Sequence, residues 1–132
     1  MALQTFEDLE VWKRGCRLAV DVCVATHDKK PYELGRQMQR ASVSIPSNIA
    51  EGAERDSDGD FVRFLRISKG SCGELRTQLY VWERVMKCLN LEPLPKSAEL
   101  IEETRGISAM LQKLIQSIKS RSEINDWNLT EH

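Results

Sequence analysis

From Phe61 to Leu89, core-type residues recur at steps of three and four: Phe61, Phe64, Leu65, Ser68, Cys72, Leu75, Leu79, Trp82, Met86 and Leu89. That spacing marks one face of an α-helix; a strand would alternate from residue to residue. Sustained over residues 58–90, it predicts a near-heptad seam on a rod of about 50 Å, at about 1.5 Å per residue. Read the same way, the remaining chain supplies three more helices.

The first is expected at about 6–27. Thr5 with Asp8 three residues on makes a capping box, and Phe6, Leu9, Trp12, Cys16, Ala19, Cys23 and Thr26 form its stripe, widened by Val11, Leu18, Val20 and Val22 so that burial on more than one side is expected. Pro31 ends it. The second spans about 32–55, with Leu34, Met38, Ala41, Ile45, Asn48 or Ile49, and Gly52 as its stripe. Pro46 interrupts this helix: it lacks a donor and crowds the carbonyl of Ser42, so a kink is expected, at about 3 kcal/mol. Ser42, Ser44 and Ser47 stand ready to bond the loosened carbonyls.

Ser57 and Asp60 make a second capping box and open the long third helix, 58–90. Gly70 and Gly73 lie inside it, each costing about 1 kcal/mol against alanine. Such glycines predict the close approach of a neighbouring backbone or bulky side chain. Pro93 and Pro95 close the third helix, and a fourth follows at about 96–121, with Leu100, Ile101, Thr104, Ile107, Ser108, Leu111, Leu114, Ile115 and Ile118 as its apolar face. Residues 122–132 lose the period and are expected to fray, with Trp127 able to dock. The fold class is thus all-α. Residues 1–121 should form an antiparallel up-down-up-down four-helix bundle with a proline-kinked second helix.

Composition narrows the function. With 41% hydrophobic and 30% charged residues the chain is neither disordered nor membrane-spanning. No apolar run nears the roughly 20 residues a bilayer requires, and no signal peptide precedes the first helix. Cys16, Cys23, Cys72 and Cys88 form no Cys-x-x-Cys pair, so reduced thiols in a cytoplasmic protein are expected, with no metal ligands and no cofactor. Net charge is −1, against the strong basicity of a general phosphate binder.

Two constellations remain. Ser44, Asn48 and Glu51 share a helix face around Pro46, as do Ser71, Glu74 and Gln78 on the third helix. Facing each other, they would make a structural polar network that fixes register. Glu51 and Glu74 come with no nucleophile and no metal-ligand pattern, so no catalytic residue is assigned and the chain is read as a non-enzyme. The second constellation is basic: Arg36, Arg40, Arg63, Arg66, Lys69 and Arg76 could contact nucleic acid. Eight basic residues between Glu33 and Arg84 are matched by eight acidic ones, which favours a solvated face. Trp12 and Trp82 read as core, and His27 as a helix-end residue.

The motif Gln39-Arg40-Ala41-Ser42-Val43-Ser44-Ile45-Pro46-Ser47-Asn48-Ile49-Ala50-Glu51-Gly52, with Pro31, Glu33, Phe64-Leu65, Gly70-Ser71 and Glu74-Leu75, closely resembles the four-helix-bundle proteins of 23S ribosomal RNA intervening sequences. The accessory variability protein of diversity-generating retroelements is a relative of that family. The resemblance covers about Phe6 to Ile118. It implies a homo-oligomeric ring, commonly a pentamer, without known enzymatic activity, and linked to RNA or an RNA-associated protein. The function expected is a ring-forming adaptor for protein or RNA, with a nucleic-acid binder using a repeated basic face as the alternative.

Overall fold

The computed structural model describes the backbone of residues 5–131 and the side chains of residues 5–123. A 3₁₀ turn, Phe6–Asp8, precedes α1 (Glu10–Thr26), α2 (Tyr32–Ala53), α3 (Asp58–Leu89) and α4 (Ser97–Glu131). The chain is all-α, and the four helices pack as a bundle. Contact pairs run in opposite order along neighbouring helices. Between α1 and α2, Gly15 lies against Ile45 and Pro46, while Thr26 meets Gln39 at 2.9 Å. Between α2 and α3, Ser44 meets Ser71 and Gly52 meets Phe64. Between α3 and α4, Asp58 accepts from Ser122 at 2.7 Å, and Arg76 donates to Thr104 at 3.0 Å. Arg14 closes the bundle by donating to Glu103 of α4 at 2.9 Å.

Helix ends follow local chemistry. The Ser57 hydroxyl accepts from the Asp60 amide at 3.1 Å and caps α3. Asn90, at φ 55°, ends α3 in the left-handed region. The Thr5–Asp8 box forms as well, with the Thr5 amide donating to the Asp8 carboxylate at 3.2 Å. It caps the 3₁₀ turn, however, not α1: Leu9 turns extended at ψ 123°, and α1 begins only at Glu10. At the other end α4 runs past Arg121 to Glu131. Residues 122–131 contain neither glycine nor proline, so nothing stops the helical ladder where the apolar stripe fades. The docking expected of Trp127 falls outside the described side chains.

The core stripes of α2, α3 and α4 are largely where the apolar periods place them, with Met38, Ile45, Leu65, Leu75, Leu79, Ile107 and Leu111 sealed from solvent; the exception is Leu89 at the end of the α3 stripe, which is 59% exposed. In α1 the buried residues are Val11, Gly15, Leu18, Ala19, Val22 and Thr26; Ala19 and Thr26 belong to the expected stripe and Val11, Leu18 and Val22 to its widening, whereas Trp12, Cys16 and Cys23 are only half-buried and Val20 is exposed. The reason is Gly15. It lets α1 settle onto Ile45 and Pro46, and that turns Cys16 and Cys23 to the edge of the interface.

Pro46 sits inside an unbroken helix, and no kink is evident in α2. Side chains serve the carbonyls around it. Asn48 donates to the Ser44 carbonyl at 2.8 Å, Ser68 to that of Ile45 at 2.9 Å, and Ser42 to that of Gln39 at 2.8 Å. The glycines divide differently from expectation. Nothing lies within 4 Å of a methyl placed at Gly70 or Gly73, whereas one at Gly52 would lie 2.7 Å from Phe64 Cβ. Within one copy, the close approach is at the base of α2 and not in the middle of α3.

Candidate functional site

The α2–α3 seam beside Pro46 contains a hydrogen-bonded polar group, smaller than the sequence suggests. Ser44 and Ser71 hydroxyls lie 2.9 Å apart, and the Asn48 amide donates to the Ser44 hydroxyl at 2.8 Å. Helical spacing puts Ser44 and Asn48 one turn apart, so one amide can serve both a hydroxyl and the carbonyl beneath it. All three side chains are half-buried. Their satisfaction within the seam makes them a register lock between α2 and α3.

The other three residues assigned to this network stand apart from it. Pro46 faces away, buried against Gly15 of α1. Glu51 is exposed and pairs with Arg55 at 3.0 Å, one turn along its own helix. Glu74 is exposed and makes no hydrogen bond or ion pair among the described residues. The two carboxylates therefore do not converge. Ser42, expected to bond a carbonyl near Pro46, bonds that of Gln39, and Ser68, placed on the core stripe, bonds that of Ile45 across the seam; both are fully buried. Ser68 interrupts an apolar stripe, and a polar residue in that position was the available sign of a cross-helix bond.

The seam can be tested energetically. Ser44→Ala and Ser71→Ala should each lower stability by about 1 kcal/mol, the usual net value of one intramolecular hydrogen bond. The double variant should cost little more than the larger single, with a coupling of about 0.5–1 kcal/mol in urea unfolding. Strict additivity would show that the hydroxyls do not depend on each other.

The predicted basic residues divide into two groups. Arg36 and Arg40 both reach Glu33, at 3.0 and 3.4 Å, and hold its carboxyl below the usual carboxylate range, chiefly through Arg36. Arg63 lies 3.7 Å from Asp60 and over the Phe64 ring, 4.5 Å from its centroid. These three are engaged locally. Lys69 and Arg76 instead cross to α4 and bond neutral partners, Gln112 at 2.7 Å and Thr104 at 3.0 Å. Arg66 is exposed and shares a groove with Lys119 of α4 and with the carboxylates of Asp58 and Glu123.

Cys72 is sealed in the core, and burial pushes its thiol up to about 12, so at neutral pH it is a packing group and not a nucleophile. Among the described residues no cluster of three or more His, Cys, Asp or Glu side chains is placed to hold a metal ion. No described helix is long and apolar enough to cross a membrane. Among the exposed apolar side chains, Val20 and Val24 lie on α1, Val43 on α2, and Ile67, Val81 and Leu89 on α3, with Leu91 just beyond it; Val24 borders Pro95 and Leu100 at the start of α4. A family model described as 23S rRNA-intervening sequence protein matches residues 7–113, from the 3₁₀ turn into the middle of α4. Comparison with curated proteins finds no match.

Proposed function

We propose that this chain, which belongs to the 23S rRNA-intervening sequence protein family, is a non-enzymatic helical adaptor that closes with copies of itself into a ring. One observation carries the reading: two separate apolar strips lie outside a core that is already filled. On α1, Val20 and Val24 are 60% and 70% exposed and one turn apart. On α3, Ile67 and Val81 are 43% and 44% exposed on one helical face. Single exposed apolar residues are ordinary; aligned ones on two different faces suit a heterologous contact, in which one patch meets the other. Repetition of that contact gives a ring when the rotation closes. Five subunits is the number the motif resemblance implies, and the tie to retroelement accessory proteins rests on that resemblance alone. The separation of Glu51 from Glu74 supports a binding role over an acid–base one. The four unpaired cysteines fit a reduced, cytoplasmic setting.

Light scattering tests the ring. The expected species is a discrete oligomer of five 15.1 kDa chains. Val20→Asp combined with Val24→Asp should yield a monomer whose circular dichroism is unchanged. A wild-type chain that stays monomeric at every concentration would end the proposal.

A further inference from the structure

Two helices of the bundle carry an outward stripe on which charged and apolar side chains are set at the same interval. On α1, Lys13, Arg17, Val20 and Val24 lie opposite the buried face of Val11, Gly15, Leu18 and Val22. On α3, Ile67, Glu74 and Val81 recur every seven residues and so share one line along the helix. Arg17 stands seven residues before Val24, and Glu74 seven before Val81. Both charged side chains are exposed. Arg17 reaches Glu10 loosely, at 3.5 Å. Glu74 makes no ion pair among the described residues, and its helical neighbours Gly70, Ser71, Thr77 and Gln78 are uncharged.

We infer that α1 of one copy packs in parallel against α3 of the next, in a ring whose axis runs along the bundle, with Arg17 on Glu74 and Val24 on Val81. The contact rests on the ring reading and specifies which faces meet. Such a ring turns each copy without lifting it or turning it over. Helices that run the same way in one copy therefore run the same way across the contact, and residues that touch stand at one level. α1 and α3 do run the same way, at opposite corners of the bundle, each packed on α2 and α4. Their levels are fixed by Gly35 of α2, which faces Thr26 of α1 and Trp82 of α3 at once. Val24 lies two residues before Thr26 and Val81 one before Trp82, so the two valines are level to within about 1.5 Å. One heptad lower on each helix, Arg17 and Glu74 are level as well.

The other charges on these faces fit the same register. Lys13 comes level with Gly70, where nothing stands within 4 Å of a methyl, and Lys69 beside it is turned to Gln112 of α4. Glu10 comes level with Ile67, between Arg63 and Arg66, and Asp21 with the neutral Gln78. The direction of the α3 patch also suits closure. Ser71, next to Glu74 along that helix face, meets Ser44 of α2, so the patch leans towards α2. The two patches thus stand off a straight line, and repeating the contact curves the assembly round instead of extending it as a fibre. An ion pair worth little on an open surface gains where flanking valines exclude water.

Sedimentation over a dilution series gives the concentration at which half of the chains are assembled. Arg17→Glu and Glu74→Arg should each raise it about tenfold or more, and the double variant should return to within about threefold of wild type. Lys113→Glu, on the open face of α4, should change it by less than about threefold. Circular dichroism confirms that each variant is folded. Val24→Cys combined with Val81→Cys should link copies into a disulfide ladder on oxidation, above the background set in wild type by exposed Cys88. Val24→Cys with Ile67→Cys, the pair that a reversed α1 would join, should stay at that background. Assembly unchanged by either charge reversal, no recovery in the double variant, or a ladder from the Ile67 pair instead would overturn this contact and leave the ring reading standing. A wild-type chain that is monomeric at every concentration removes the ring reading, and this contact with it.

Discussion

Replacing Trp82 by alanine should destabilise the bundle by about 3–5 kcal/mol, the range for emptying a buried tryptophan site. Trp82 is 1% exposed and is the largest fully buried side chain. Its ring packs on Gly35 of α2, with Cζ3 3.7 Å from the place where a glycine methyl would stand. Gly35 also faces Thr26 at the end of α1, so the indole fills the space where three helices meet. No neighbour can swing in to fill the void, because the backbone of α2 at Gly35 has no side chain to offer. Domains of this kind are stable by about 5–15 kcal/mol, so the loss takes a large share of the total. In guanidinium chloride the midpoint should fall while the slope stays constant. Trp12→Ala is the contrast. Trp12 is half-buried and stacks edge-on with Phe6 at 5.3 Å, at the open end of the bundle. Its loss should cost about 1 kcal/mol, the scale of an aromatic pair. Equal losses at the two sites would contradict the packing described.

The two tryptophans show what the sequence could and could not convey. Both sit on apolar stripes of helical period, and that period identified all four helices and three of the four buried faces. On α1 it was half right: Ala19 and Thr26 of the stripe, with Val11, Leu18 and Val22 beside it, are buried, but the inward face passes through Gly15, which carries no hydrophobic signal, and Trp12, Cys16 and Cys23 lie at the margin of the core. End chemistry was legible at Ser57, where the side chain alone decides the cap. It misled at Thr5, since the same box can close a 3₁₀ turn. The polar seam was half legible. Ser44, Asn48 and Ser71 followed from spacing, but Glu51 found a nearer partner in Arg55, and the phase of Glu74 carried it off the seam. Charge was the least legible feature. A window from Glu33 to Arg84 cuts across two helices and sums to zero, and the structure pairs many of those charges locally, Arg36 and Arg40 with Glu33, Arg55 with Glu51 and Arg63 with Asp60. Only once α3 and α4 lie side by side do Lys69, Arg76 and Arg105 belong to one surface.

Gly52→Ala should lower stability by about 2 kcal/mol, although alanine is the better helix former. The intrinsic preference favours the substitution by about 1 kcal/mol. Against it stands the geometry at the base of α2. The new methyl would lie 2.7 Å from Phe64 Cβ, 3.1 Å from Phe61 Cδ1 and 3.2 Å from the Phe61 carbonyl oxygen. Cβ and carbonyl atoms move only with their backbone, so α2 and α3 would have to separate where the Ser57 cap begins. Overpacking of this kind costs about 1–3 kcal/mol and sometimes more, enough to outweigh the helical gain. Gly70→Ala, with nothing within 4 Å of its methyl, has only the helical term and should gain about 1 kcal/mol. One substitution made twice in the same bundle should thus change sign, a spread of about 3 kcal/mol set by what faces each glycine. Urea unfolding at one fixed protein concentration measures both, since self-association would otherwise shift the midpoints. A stabilised Gly52→Ala variant would mean that α2 and α3 do not pack at Phe64 as described, and the register locked by Ser44 and Ser71 would fall with it.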